Sequence, residues 1–239
     1  MERIYLKEVD STNKWAKENI SEIADKTLVY TYNQTSGRGR FDRVWCNTGE
    51  DNIYASLVLK PSDKMKEVYS NLTQYLCVVL AEIFEEYGVI PQIKWPNDIQ
   101  INGKKISGIL AEAVSNSEKL EGIVLGFGIN LNTSQEELGK INQSATSLNL
   151  ETNKFIDKES FLSKVFDRFF LLYDRFLEEG FPLIKNGYTR RANFLNKTVT
   201  VRVFDNYVTG FAKNITDNGN LTIVDDKNNE NVLLIGDIL

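Results

Sequence analysis

No histidine occurs among the 239 residues of this chain. That absence excludes Ser-His-Asp and Cys-His nucleophile systems, HExxH zinc proteases and most catalytic metals held by imidazole. Cysteine is scarce as well. Cys46 and Cys77 stand far apart without a partner motif, so two reduced thiols are expected, not a disulfide or metal pair. There is no surplus of positive charge: the net charge is −5, which argues against a dedicated nucleic-acid binder. Long apolar runs are missing too. Met1-Glu2-Arg3 leads into mixed polar sequence, so neither a signal peptide nor a membrane span is expected. What remains is ordinary globular composition, 42% hydrophobic and 26% charged. Such a chain is expected to be soluble and cytoplasmic, engaging neither DNA nor membrane.

Neither an internal repeat nor a low-complexity tract is found. Asp10-Ser11-Thr12-Asn13 suits the N-cap of a short helix through Asn19. Leu28–Tyr32 and Ile53–Leu59 read as strands, with a polar, glycine-containing stretch from Asn33 to Val44 between them. Apolar spacing predicts a helix over Ser62–Tyr87, stopped by Gly88, and a second over Glu159–Glu179. Short strands are expected at Gln92–Trp95, Ile99–Ile101, Ile106–Val114 and Gly122–Asn130, with Pro96-Asn97-Asp98 as a turn. After Gly187 the pattern changes to β runs at Thr198–Phe204, Tyr207–Ile215, Leu221–Val224 and Val232–Ile235, separated by Asp/Asn/Gly turns. The expected fold class is therefore α+β: a catalytic domain over residues 1–190 and a small β-barrel over 191–239. A barrel that small should dock onto its neighbour to be stable.

Four stretches carry chemistry. Gly37-Arg38-Gly39-Arg40-Phe41-Asp42-Arg43-Val44-Trp45 sets three arginines among two glycines on an acidic protein. Glycines let backbone N–H groups form an anion nest, and arginines add charge and fork geometry for phosphate. The stretch is neither a GxGxxG fingerprint nor a GxxxxGK[ST] loop, and a solvated basic turn is the plain alternative. Lys94-Trp95-Pro96-Asn97-Asp98-Ile99 and Gly103-Lys104-Lys105-Ile106-Ser107-Gly108-Ile109-Leu110-Ala111-Glu112 follow. By itself Lys105 reads as a surface charge, whereas Gly108 inside a strand weakens it unless something approaches the backbone closely. Finally, Gly126 and Gly128 in Gly126-Phe127-Gly128-Ile129-Asn130 share one face of a strand, which could admit a ligand or a closely packed helix.

Taken in order, and with Ala145-Thr146-Ser147-Leu148, these stretches resemble the motifs of the biotin–protein ligase family over roughly residues 4–150. The resemblance implies a mixed-sheet catalytic domain of the biotin/lipoate ligase type followed by an SH3-like β-barrel. It implies ATP-dependent activation of biotin to biotinyl-5′-AMP, with Mg²⁺ on the phosphates. Transfer to a lysine of a carboxylase's biotin carboxyl carrier domain would follow. By motif, Ser11, Thr12 and Gln34 would contact the ureido ring of biotin; Gly37, Arg38, Gly108, Gly126 and Gly128 would surround the rest of it. Lys105 would bridge the biotin carboxylate and the α-phosphate. Arg38, Arg40, Trp45, Asn97 and Asn130 would hold the nucleotide, and Arg40, Lys105 and Asp98 would act in catalysis. No residue is assigned to a protein-bound metal. Asp42 departs from the family's glycine and could pair within the loop or fix its resting shape. The DSTN motif begins at residue 10, so a monofunctional form without the DNA-binding domain is expected. A lipoate–protein ligase and a non-catalytic biotin-binding regulator are the competing readings. An exposed sheet edge could pair with a second copy or with the carrier.

Overall fold

The computed structural model describes residues 2–41, 43–62, 65–117 and 119–239; Asp42 lies outside them. The first β runs form β1 (Arg3–Tyr5), β2 (Thr27–Thr31), a small hairpin of β3 (Gly37–Arg38) and β4 (Val44–Trp45), and β5 (Ile53–Leu59). Then come β6 (Pro91–Lys94), β7 (Asp98–Ile101), β8 (Lys104–Asn116) and β9 (Lys119–Ile129). Seven of these make one mixed sheet in the order β1-β2-β5-β9-β8-β7-β6. In it β1 runs parallel to β2, and the other pairings are antiparallel.

Alternation along the central strands splits the sheet into two faces. Val29, Val58 and Val124 pack against Ala16, Ile20 and Ile23, on and just after helix α1 (Thr12–Glu18). Ser11 caps α1, its hydroxyl accepting from Lys14 N. The opposite residues, among them Leu28, Leu57 and Leu125, join the main core. That core is closed by the short α2 (Met65–Val68), α3 (Leu72–Glu86), α6 (Lys158–Leu171), α7 (Tyr173–Glu179) and α8 (Phe181–Thr189). Between β9 and α6 lie α4 (Gln135–Leu138) and α5 (Leu148–Thr152).

Three expectations need correction. The helix over Ser62–Tyr87 is interrupted by a 3-10 turn at Tyr69–Asn71. The helix over Glu159–Glu179 breaks at Leu172, next to where Tyr75 Oη donates to the Phe169 carbonyl at 2.5 Å. The stretch Asn33–Val44 is no plain loop, since it holds most of the β3–β4 hairpin.

The late β runs become β10 (Thr198–Val203), β11 (Asn206–Ile215), β12 (Leu221–Val224), β13 (Glu230–Leu233) and β14 (Asp237–Ile238). They form an antiparallel sheet ordered β13-β12-β11-β10-β14. Among the described residues no pairing joins β13 to β14, so the expected barrel is present as a small sheet without closure. Val201, Ala212, Ile215, Leu221 and Ile223 run into the main core, which is the docking a unit of this size requires. The turn after β11 fastens it. Gly219 O accepts from Gln74 Nε2 at 2.8 Å and from Trp95 Nε1 at 3.2 Å.

Candidate functional site

Beyond the N-terminal end of α1 the sheet face it covers is left open, and a cavity of about 400 Å³ lies there. Strand register builds its floor. Lys94 faces Asp98, Asp98 faces Gly108, and Gly108 faces Gly128, so one row across four strands reads cation, carboxylate, glycine, glycine. Directly opposed residues share a face, so this row is a side-chain-free shelf flanked by charge. Lys105 is three positions from Gly108 and would ordinarily point to the other face. A bulge between Ile99 and Gln100 sets Lys105 opposite Gln100 and brings it back to the cavity side. Its backbone is then clamped: Lys105 N donates to Ser144 O at 3.0 Å, and Thr146 N donates to Lys105 O at 2.9 Å. Asn130, buried at the end of β9, holds the same segment by donating from Nδ2 to Thr146 O at 3.1 Å.

One end of the cavity is polar and uncharged. Thr12 N donates to Gln34 Oε1 at 2.9 Å, which leaves the Gln34 amide nitrogen to donate elsewhere. Ser56 Oγ lies 2.8 Å from Thr12 Oγ1 and 2.6 Å from Asn13 Oδ1. Ser11 and Gln34 are buried at this end. Gly37 is buried behind the wall and does not itself line the cavity. A Cβ there would stand 2.6 Å from both Gln34 Nε2 and Trp45 O.

The other end is charged. Lys105 Nζ pairs with Asp98 Oδ2 at 2.8 Å. Arg40 Nη1 reaches Asn97 Oδ1 at 3.2 Å, Gly236 O at 3.2 Å and Asp237 Oδ1 at 3.1 Å. Arg43 Nη1 meets the second Asp237 oxygen at 3.0 Å. Burial pulls the Arg40 pKa down, and the Asp237 carboxylate opposes that. Arg38 also lines the cavity but is exposed.

Trp45 lies across the shelf. A Cβ on Gly128 would stand 2.4 Å from its Cε2, and one on Gly108 would stand 2.9 Å from its Cζ3. These two glycines thus let an aromatic ring rest on bare backbone. Lys105 Nζ sits 5.4 Å from the centre of that ring. Trp45 Nε1 is buried without a hydrogen-bond partner among the described residues, an unmet donor inside the cavity. Gly126 serves a different neighbour: its missing Cβ makes room for Asn13 of α1. Of the two alternatives, a ligand or a closely packed helix, helix packing holds at Gly126, whereas Gly128 is covered by the Trp45 ring, which is neither.

The structure thus gathers Ser11, Thr12, Gln34, Arg38, Arg40 and Trp45 with Asn97, Asp98, Lys105, Gly108, Gly126, Gly128 and Asn130 around one cavity. Sequence reasoning missed Asn13, Lys94 and Asp237. Asn13 and Lys94 stand inside the DSTN and KWPND stretches already singled out, whereas nothing in the sequence pairs Asp237 with Arg40.

Residues 5–130 match the biotin/lipoate A/B protein ligase family. The chain is 32% identical to the bifunctional ligase/repressor BirA of Bacillus spizizenii over 223 residues, covering 92% of this chain and 68% of that protein. It is 28% identical to the biotin–[acetyl-CoA-carboxylase] ligase of Paracoccus denitrificans, covering 91% of this chain and 92% of that one. Among solved structures, the biotin protein ligase from Aquifex aeolicus in complex with biotin and ATP superposes with a TM-score of 0.83 at 28% identity. It spans 100% of this chain and 97% of that one.

Proposed function

The chain belongs to the biotin/lipoate A/B protein ligase family, and we propose that it joins biotin to ATP as biotinyl-5′-AMP and passes the biotinyl group to a lysine of a biotin carboxyl carrier domain. The observation that carries this reading is the shape of the cavity: an uncharged polar end and a cationic end, joined by a floor without side chains.

At the polar end Ser11, Thr12 and Gln34 would meet the ureido ring, whose donors and acceptors must all be matched once buried. Gly108 and Gly128 would give the acyl tail its floor once the Trp45 ring that rests on them moves aside, and Gly37, Gly126 and Arg38 would complete the surroundings. Biotin's carboxylate oxygen attacks the α-phosphorus, the bond to the bridging oxygen breaks, and pyrophosphate leaves. Two anions must meet, so the protein contributes alignment and positive charge. Lys105 supplies it at the reacting phosphate, and doing so draws it away from Asp98. Arg40 supplies it from above, with Arg38, Trp45, Asn97 and Asn130 around the nucleotide. In the second step the carrier amine attacks the acyl carbon, the bond to AMP breaks, and a proton leaves the nitrogen. Asp98, vacated by Lys105, stands ready to take that proton.

Among the described residues no cluster of three or more acidic or cysteine side chains could cage a metal ion. Magnesium would arrive on the nucleotide's phosphates, with Asp98 or Asp237 offering at most a carboxylate oxygen each. It would spread phosphate charge there.

The finer assignments follow the same reading. Residues 1–190 would form the catalytic domain and residues 191–239 an SH3-like module whose Asp237 reaches the site. On β8, pairing with β7 stops at Gly108, so the stretch beyond it has β9 as its partner on one side. That open edge is where the carrier, or a second copy, would add a strand. No helix among the described residues is long and apolar enough to cross a membrane, and cytoplasmic action without DNA or membrane is the setting proposed.

The test is pyrophosphate release with ATP, Mg²⁺ and biotin, run beside lipoate and octanoate. Release that depends on biotin alone is expected; release with lipoate or octanoate instead would overturn the substrate. For Asp98, D98N should slow transfer from preformed biotinyl-5′-AMP, and unchanged transfer would remove it from the proton step.

A further inference from the structure

Two cations of the cavity have no role so far, Arg43, which is paired with Asp237, and Lys94. Lys94 closes the row that runs from Gly128 through Gly108 and Asp98, and its side chain lines the cavity. Lys105 and Arg40 each have a carboxylate at ion-pair distance, and Arg43 shares the one on Arg40. Among the described residues Lys94 has no such partner. It is half-buried, and that burial lowers its pKa, with Asp98 acting in the opposite sense. A partly desolvated ammonium without a partner is unfavourable unless an anion is meant to arrive. At this end Lys94, Lys105, Arg40 and Arg43 face Asp98 and Asp237, so positive charge exceeds negative by two. The surplus is largest at Lys94.

We propose that Lys94 binds the pyrophosphate portion of ATP and the pyrophosphate that leaves. This rests on the function proposed above. In an in-line displacement the leaving group departs on the side away from the attacking oxygen. The acyl tail approaches over Gly108 and Gly128, and Lys94 stands at the other end of the row, beyond Asp98 and Lys105. Lys105 therefore serves the α-phosphate and Lys94 the pyrophosphate. Asp98 between them offsets the repulsion of the two ammonium groups before ATP binds.

The two half-reactions separate this role from a structural one. In K94Q, biotin-dependent pyrophosphate release should fall by about 100-fold. Inhibition by added pyrophosphate should need about tenfold more of it. Transfer from preformed biotinyl-5′-AMP, which has lost its pyrophosphate, should stay within about twofold of wild type, as should biotin binding. K94R should recover part of the release, because it restores charge without the same reach. Equal loss in both half-reactions, or a pyrophosphate inhibition constant that does not move, would overturn the proposal. Should K94Q fail to fold, K94R decides: full wild-type release with unshifted pyrophosphate inhibition argues against Lys94, and a reduced release with weaker inhibition supports it. Wild-type enzyme run alongside keeps the premise separate. No biotin-dependent release in wild type strikes the ligase reading, whereas normal release in both wild type and K94Q strikes Lys94 alone.

Discussion

Replacing Gly126 by alanine should unlock the helix that carries the polar end of the site. A Cβ at Gly126 would stand 2.0 Å from Asn13 Oδ1 and 2.6 Å from its Cγ, whereas ordinary contact begins at 3.4 Å. Asn13 would have to retreat by about 1.4 Å. It has no slack to do so, because its Nδ2 donates to Glu112 Oε2 at 2.8 Å and Leu110 O at 3.2 Å, and Ser56 Oγ donates to its Oδ1 at 2.6 Å. Overpacking costs about 1–3 kcal/mol. Loss of the bond to the Glu112 carboxylate adds about 1.5–3 kcal/mol. Alanine's smaller backbone entropy returns up to about 1 kcal/mol. The net loss is about 1.5–6 kcal/mol, or a melting point lower by about 3–24 °C for a chain of this size. Thermal unfolding of G126A, N13A and the double variant measures it. Because N13A removes the atoms in the way, the double variant should be hardly less stable than N13A alone. Strict additivity of the two changes, or a G126A melting point within about 2 °C of wild type, would refute the reasoning.

W45F keeps a ring on the Gly108–Gly128 shelf but removes the unmet indole N–H. It should raise the ligand-free melting point by about 2–4 °C, for roughly 1 kcal/mol gained, and weaken ATP binding, read by calorimetry. R40G removes the contacts to Asn97, Gly236 and Asp237; it should release the reactive adenylate early, seen as biotin labelling of bystander lysines. Glu85 is held below its ordinary 4.5 by hydrogen bonds from Arg191. Its contribution to stability is present above that ordinary value and lost as pH falls through the folded one. E85Q should therefore be less stable to urea than wild type at pH 7, by about 0.5–1 kcal/mol because the carboxylate is part-exposed and screened, and the difference should vanish in acid below the carboxylate range.

Strands that are continuous, mostly apolar runs were legible in the sequence. Ile53–Leu59 and Leu221–Val224 coincide with their expected bounds. Elements of two or three residues, such as β1, β4 and β14, were not, since so short a strand exists only through its partner. α8 was not anticipated, and Gly187, where the pattern was expected to change to β runs, lies inside it. Pro182 sits in its first turn, where a missing N–H does no harm. Gly187 lets Val78 of α3 come close. In the site, motif order placed the residues but could not aim them. Lys105 faces the cavity through a bulge whose two strands are both unexceptional in sequence. Asp237 is invisible for another reason: its partner Arg40 is 197 positions away.

That separation has a consequence for how the protein comes into being and how it fails. On the ribosome, Arg40 and the glycine shelf emerge long before Asp237 does. A nascent chain can complete its large sheet while the arginine hairpin still waits for its acidic partner. Heating runs the sequence backwards. The small sheet of β10–β14 is docked on the main core, and its detachment would set Arg40 and Arg43 adrift from Asp237. Because the small sheet shares the main core, whatever loosens that core also costs the site its acidic clamp.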